Sequence, residues 1–275
     1  MTTADAARPG FRSPLTTNAN AGRSALVTGG GSGIGRATAV ELARTGARVT
    51  ICGRRPEPLA ATQAAIAAGG GECLAVTGDV RDPDAVERVV GAALDRFGAI
   101  DVLVNNAGGQ PRAPAEEISD HHWHAVERLA VDAAWSVTRT VATRSMIPKG
   151  GGLIVFVGFS PLRGLPGFAH ACASRAAVAN LASGLALEWS RYHIRSVCVA
   201  PGTIMTEGLQ SYGEEAIEKW RRAVPLGRLG EPEEVASLIA FVASPGGQFV
   251  TGTTIVVDGG ADAWGLARLP PEVVQ

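Results

Sequence analysis

Short apolar runs rich in β-branched residues recur along the chain, at 24–28, 48–53, 72–77, 100–105, 152–157, 194–199 and 254–258. Each predicts a strand, and in Leu153-Ile154-Val155-Phe156-Val157 no polar residue marks a solvent face. Strands apolar on both faces belong to parallel sheets covered on each side by helices. Helical spacing of apolar residues fills the intervals, near 34–45, 56–68, 83–97, 119–146, 171–191 and 231–243. Alternation of strand and helix over this length predicts one α/β domain, a doubly wound parallel sheet of seven strands with helices on both faces. No linker-like stretch interrupts it, and no internal repeat is present.

The rhythm breaks once. Residues 201–231 hold few apolar runs and one short helical piece at 214–223. An insertion after the carboxyl end of a strand borders the ligand crevice of an open α/β sheet, so this segment reads as a substrate lid, or else as a surface excursion. Residues 1–22 are polar and rich in Ala, Thr, Asn and Pro, which predicts a mobile tail or an ordered arm on an oligomer. The domain body then runs over 23–261, with a C-terminal tail at 262–275. The long helices at 119–146 and 171–191 carry apolar residues on more than one face, which predicts a homo-oligomer.

Composition narrows the class. The 275 residues are 46% hydrophobic and 19% charged with a formal net charge of -1, so no basic footprint for nucleic acid exists. No apolar run approaches the roughly 18 residues of a membrane span, and no signal-like apolar stretch is seen near the start. Cys52, Cys73, Cys172 and Cys198 lack metal-ligand spacing; the three in predicted strands read as buried thiols, and a reducing cytoplasm is the expected compartment. His121 and His124 stand one helical turn apart, but the adjoining Ser119-Asp120 is a capping signal. That cluster reads as a solvated helix start, and no metal site is expected.

The candidate chemistry begins at the first strand. Ser24-Ala25-Leu26-Val27 leads into Thr28-Gly29-Gly30-Gly31-Ser32-Gly33-Ile34-Gly35-Arg36 and then a helical pattern. A strand, a glycine turn and a helix N-terminus make an anion site, because the first N–H groups have no intrahelical partner and the dipole favours negative charge. The second strand ends in Cys52-Gly53-Arg54-Arg55. A ribose 2′-hydroxyl is usually held by a carboxylate here; Gly53 takes that position, and the arginine that follows suits a 2′-phosphate. Arg54 therefore predicts NADP(H) over NAD(H), with NAD(H) still possible and a solvated basic turn as the other reading. Asp79, after the third strand, either accepts from an adenine amine or caps the helix beginning near Pro83. Small residues after the fourth strand, Asn106-Ala107-Gly108, leave room for a flat ring.

Thr28 to Gly35, Asn105 to Gly108, Pro201-Gly202, and Thr251-Gly252 with Asp258-Gly259-Gly260 together resemble the classical short-chain dehydrogenase/reductase family. The resemblance spans about residues 22–261 with the motifs in order. It implies a Rossmann-like single domain, a dimer or tetramer, and a nicotinamide cofactor across the carboxyl ends of the strands. By this resemblance Gly29, Gly33 and Gly35 admit the pyrophosphate, and Arg54 holds the 2′-phosphate. Asn106, Ala107 and Gly108 bound the adenosine ribose, Arg175 holds the nicotinamide ribose, and Gly202 to Ile204 meet the carboxamide. Ser32, Ile34, Asp79, Val80, Pro201 and Thr206 also lie against the cofactor.

The resemblance further implies an Asn-Ser-Tyr-Lys catalytic set, and here the chain departs from it. The tyrosine position falls on Ala171, the lysine on Arg175, the serine on Phe159 with Ser160 next to it, and the asparagine on Ala130. Of the two tyrosines, Tyr192 lies beyond the far end of its helix and Tyr212 lies in the insertion. Without a positioned tyrosine, alcohol–ketone chemistry loses its proton donor, a contribution of roughly 10²- to 10⁴-fold. Conjugate reduction of an enoyl thioester is less affected. Its negative charge develops on an oxygen that hydrogen-bond donors can stabilise, while the α-carbon takes its proton from water.

A closer resemblance points the same way. Gly108-Gly109-Gln110, Ala113 to Ser119, Trp123 to Val126, and the stretch from Gly164 through Ala169-His170 to Ser174-Arg175-Ala176 are similar to the peroxisomal trans-2-enoyl-CoA reductase branch. In that branch, too, the tyrosine position is not tyrosine and the lysine position is arginine. Its asparagine is Ala130 here, and Val273-Val274-Gln275 is not a peroxisomal targeting tail. Arg175, His170 and Ser160 are then the candidate catalytic residues. Arginine cannot act as a proton donor near neutrality but can hold a ribose and keep positive charge in the site; the other reading of Arg175 is a surface ion pair. His170 is either a general acid or a wall residue. The expected activity is NADP(H)-dependent reduction of a small molecule, an enoyl-CoA or related acyl thioester. A cofactor-binding homologue without catalysis and a 3-oxoacyl or ketone reductase with a relocated acid are the alternatives.

Overall fold

The computed structural model describes residues 11–159, 164–210 and 212–264. Its centre is a seven-stranded parallel sheet in the order β3-β2-β1-β4-β5-β6-β7. The strands are β1 (Ser24–Thr28), β2 (Arg48–Gly53), β3 (Cys73–Thr77), β4 (Val102–Asn105), β5 (Gly152–Val157), β6 (Ile194–Pro201) and β7 (Thr254–Val257). The register of β1 sets Val27 beside Ile51 on one flank and Val104 on the other. Alternation along β1 then sorts its side chains: Ala25 and Val27 enter one buried layer and Leu26 the opposite one. Both layers are dry, which is why the middle of the strand is apolar and its polar residues, Ser24 and Thr28, stand only at its ends.

Helices α1 (Gly33–Arg44), α2 (Pro56–Ala68) and α10 (Pro232–Ala243) cover the first layer through Leu42, Leu59 and Ile239. Helices α3 (Pro83–Phe97), α5 (Ala133–Val141) and α7 (Ala169–Glu188) cover the second through Val89, Val137 and Val178. The segment expected as one helix over 119–146 is interrupted. It runs as α4 (Asp120–Glu127), a π-helical turn at Arg128–Asp132, α5, a second π-helical turn at Ala142–Met146, and α6 (Ile147–Lys149). Apolar spacing does not reveal such wide turns, because one inserted residue barely changes a helical pattern. The other helix expected to be long, at 171–191, begins at Ala169 and stops at Glu188.

Part of the polar N-terminal segment is anchored to the body. Asn20 is 1% exposed, and its amide donates to Thr45 Oγ1 at 2.9 Å and to the Ala240 carbonyl at 3.1 Å. These bonds tie the segment to the end of α1 and to α10, so residues near Asn20 are held rather than loose. Within residues 201–231, the segment expected as a lid, lie two short helices, α8 (Glu207–Gln210) and α9 (Glu214–Arg222). Their base is fixed by a bridge between Ile204 and Gly230 and by a two-point Arg228–Glu234 ion pair at 2.6 and 2.7 Å. A last short helix, α11 (Ala261–Trp264), follows β7. Among the described residues no helix is long and apolar enough to cross a membrane.

Candidate active site

The strand order reverses between β1 and β4, and a crevice opens there beyond their carboxyl ends. Thr28, the last residue of β1, joins the two edges. Its Oγ1 accepts from the backbone N–H groups of Asn106 and Ala107, both at 3.0 Å, and donates to the Val104 carbonyl. Asn106 returns the tie, its side-chain amide donating to the Thr28 carbonyl at 2.9 Å and the Gly29 carbonyl at 3.3 Å. The Asn106 side chain is therefore spent on holding the glycine loop.

At three of its glycines the loop excludes a side chain. Gly29 and Gly33 have φ of 67° and 50°, the left-handed region that favours glycine. At Gly35 a Cβ would collide with the Gly29 carbonyl and with the Asn106 amide. Bare backbone thus faces a cleft of about 320 Å³ at the N-terminus of the 12-residue helix α1. Ser32, Ile34, Arg54, Asp79, Val80, Ala107 and Gly108 also line it, together with Thr206 and Glu207 from the 201–231 segment. A Cβ-free cradle, a helix N-terminus and cations at the far end suit a dinucleotide's pyrophosphate and adenosine phosphate.

At that far end the structure adds a residue that sequence reasoning passed over. Arg81 grips Asp79: Nε lies 3.0 and 3.1 Å from the two carboxylate oxygens, Nη2 2.5 Å from Oδ2, and the Arg81 backbone N–H donates to Oδ1. These bonds from Arg81 hold the Asp79 carboxyl below its usual range, with the charge of Arg54 adding to the effect. The capping alternative for Asp79 is corrected, since Asp82 caps α3 by accepting from Asp84 N at 3.0 Å. The two-residue spacing of Asp79 and Arg81 was the available signal, in an Asx-type turn.

At the opposite end Arg175 reaches back from α7 to the sheet. Its Nη1 donates to the Val157 carbonyl at 2.8 Å, and the guanidinium lies against Gly108, where a Cβ would overlap it. Burial pulls the arginine pKa down, opposed only by the Cys198 thiol beneath it. Among the described residues no carboxylate pairs with Arg175, so the surface ion-pair reading has no partner there. A guanidinium stays charged even so, which leaves a fixed positive charge with spare donors directly behind Gly108; Gly108 lines the cleft and Arg175 itself does not.

The remaining candidates are spread around this charge. Ala171 is fully buried, and so is His170, whose Nδ1 and Nε2 both lack a hydrogen-bond partner. Ala130 is 5% exposed within the first π-helical turn. Ser160 lies outside the described residues. Gly202 packs against Asp258, where a Cβ would come within 2.6 Å of the Asp258 Cβ. Pro201 and Ile204 are buried, Ile204 only 7% exposed beside its bridge to Gly230, and neither side chain lines the cleft. Tyr212 packs edge-on against Trp220 with ring centroids 5.3 Å apart and does not line the cleft either. His121, His122 and His124 are exposed on α4, and Ser119 caps that helix by accepting from His122 N. Burial pushes the Cys52 thiol up to about 12 and the Cys73 and Cys198 thiols up to about 11, so none of the three is poised as a nucleophile.

The comparisons with known proteins cover the same span as this architecture. A family described as Enoyl-(Acyl carrier protein) reductase matches residues 29–262. The chain is 40% identical over 244 residues to gluconate 5-dehydrogenase of Gluconobacter oxydans (strain 621H), covering 87% of this chain and 94% of that protein. It is 35% identical over 243 residues to a probable 2,4-dienoyl-CoA reductase of Bacillus subtilis (strain 168), covering 86% and 96%. The solved structure of the citronellol catabolism dehydrogenase AtuB of Pseudomonas aeruginosa PAO1 superposes with a TM-score of 0.82 at 38% identity, covering 92% of this chain and all of that one.

Proposed function

This chain belongs to the classical short-chain dehydrogenase/reductase family, whose members bind NAD(P)(H), and we propose that it is an NADP(H)-dependent reductase of a conjugated acyl thioester such as an enoyl-CoA. One observation carries the reading. Behind Gly108 of the crevice wall lies a guanidinium with no ion-pair partner among the described residues, Arg175, while the position one turn before it, which the resemblance assigns to a tyrosine, is the buried Ala171. Such a wall stabilises developing negative charge better than it delivers a proton.

A nicotinamide dinucleotide held in this crevice would supply the hydride for conjugate reduction, and this chain's own residues would hold it and the substrate. Gly29, Gly33 and Gly35 admit the pyrophosphate against bare backbone, and Arg54 meets the 2′-phosphate. Arg81 braces Asp79 toward the adenine end. Ala107 and Gly108 keep the floor low enough for the sugar and ring to lie flat. Arg175 holds the nicotinamide ribose, and its charge offsets the negative charge that collects on the thioester oxygen, an electrostatic contribution of roughly 2.7–4 kcal/mol per well-placed donor. The α-carbon then takes its proton from water; His170, the other candidate donor, is fully buried with both ring nitrogens unpartnered and does not line the cleft.

The stacked, partly exposed Trp135–Trp189 pair, with ring centroids 6.3 Å apart, supports a homodimer or homotetramer through α5 and α7. The absence of disulfides among the four cysteines fits a cytoplasmic site of action. The deciding experiment follows NADPH consumption with 2-enoyl-CoA, 2,4-dienoyl-CoA, 3-oxoacyl-CoA and simple ketones. Turnover of an enoyl or dienoyl thioester is expected. Turnover of the 3-oxo compound alone would install the ketone reductase instead. Tight NADPH binding with silence across the panel would install a non-catalytic binding role.

A further inference from the structure

The lid touches the cofactor cradle through a carboxylate. Glu207 Oε2 accepts from the Gly33 N–H at 3.1 Å, at the first residue of α1. This N–H is one of the orphan donors on which a pyrophosphate depends. Thr206 seats the contact, since a Cβ on Gly33 would come 3.2 Å from the Thr206 methyl carbon. Glu207 is also a partition. With Gly33 and Thr206 it lines both the dinucleotide cleft and a larger cavity of about 790 Å³ on the outer side of α1. Arg36, exposed one turn along α1, lines that outer cavity and is in no ion pair among the described residues.

We propose that Glu207 is a built-in competitor of the cofactor: its carboxylate keeps the pyrophosphate's place at Gly33 in the nucleotide-free chain and moves to Arg36 when a dinucleotide binds. Two anions cannot share one N–H, and like charges a few ångströms apart repel. The carboxylate must therefore leave as the pyrophosphate arrives, and it carries α8 with it, because Glu207 is the first residue of that helix. The fixed bridge between Ile204 and Gly230 confines the movement to the chain beyond it. Three arginines line the outer cavity; Arg44 is paired with Glu41 and Arg12 lies on the N-terminal segment, so Arg36, on the first turn of α1 beside Gly33, is the cation on that path. The inference rests on the family's dinucleotide binding and not on the preference for NADP(H).

The test is a binding titration, by calorimetry, of NADPH, NADH, ADP-ribose and AMP against the wild type, Glu207→Gln, Arg36→Ala and the double variant. Glu207→Gln keeps the acceptor and the shape but removes the charge. It is expected to tighten the three pyrophosphate ligands by about fivefold, the factor for one like charge removed at short range in water-like surroundings. AMP, which lacks a pyrophosphate, is expected to bind unchanged. Arg36→Ala is expected to weaken NADPH several-fold in the wild type and to have no effect in the Glu207→Gln background. Unchanged or weaker NADPH binding by Glu207→Gln would overturn the proposal, as would equal tightening of AMP. An Arg36→Ala effect that is the same in both backgrounds would overturn the transfer to Arg36. Equal affinities for NADPH and NADH would defeat only the NADP(H) reading, since the Glu207 effect is read equally well with either ligand.

Discussion

Gly108 and Arg175 are fitted to one another. The Arg175 guanidinium lies where a Cβ on Gly108 would be, while its Nη1 keeps a 2.8 Å bond to the Val157 carbonyl. Gly108→Ala should push the guanidinium off that carbonyl. A displacement of about 1 Å at such a site costs on the order of 10²-fold in rate. The expected outcome is that loss in kcat/KM with a nearly unchanged melting temperature, read by steady-state kinetics and calorimetry on one preparation.

Arg175→Met separates stability from activity. Burial disfavours the charged guanidinium, and no carboxylate partner offsets that cost among the described residues. An apolar side chain of similar length should raise stability by about 1 kcal/mol or more. It should also lower turnover by about 10²- to 10³-fold, the cost of losing one preorganised charge donor. Denaturant unfolding and kinetics on the same variant check both signs, and a destabilised Arg175→Met would contradict the account.

Arg54 and Arg81 should behave differently toward the two cofactors. A charge-assisted phosphate contact contributes about 1.5–3 kcal/mol, so Arg54→Ala should lower the NADPH-over-NADH preference by at least about tenfold. Arg81 acts through Asp79, which it holds by four bonds. Arg81→Ala should therefore weaken NADPH and NADH alike and leave the ratio standing. Dissociation constants for both cofactors in both variants decide the assignment.

The same pair has a pH signature. Hydrogen bonds from Arg81 depress the folded-state pKa of Asp79. A depressed carboxyl adds stability above its unfolded pKa and loses it as pH falls through the folded value. The stability gap between the wild type and Asp79→Asn should thus be constant near neutrality and close below about pH 4. With both side chains 30–39% exposed, the gap should be no more than about 1 kcal/mol. Urea melts at several pH values measure it.

Much of the frame was legible from the pattern of side chains. The strands at 24–28, 48–53 and 152–157 and the helices at 56–68 and 83–97 have the bounds the periodicity predicts. Their strands are buried on both faces and α3 is amphipathic, so burial writes itself into the residue pattern. The short helices α8 and α11, of 4 residues each, were not legible, since four residues cannot establish a period. Neither were the two π-helical turns of the α4–α6 stretch, whose widening depends on what packs against them.

The sequence by itself determined the seven-stranded parallel scaffold, the glycine loop and the family, because backbone conformation and burial are dictated by local residue type and spacing. It also placed Arg54 beside the loop, since the end of the second strand must come there in a doubly wound sheet. Only the tertiary structure decided what each polar group is spent on. Asn106 is used to tie down the loop, Asp79 is held by Arg81, His170 is sealed in without a partner, and Glu207 of α8 rests on Gly33. Hydrogen bonds across 78 or 174 residues of sequence, as between Asn106 and Thr28 or Gly33 and Glu207, leave no periodicity to read. They arise from where folding brings the ends of separate strands together, and the chemistry of the crevice rests on them.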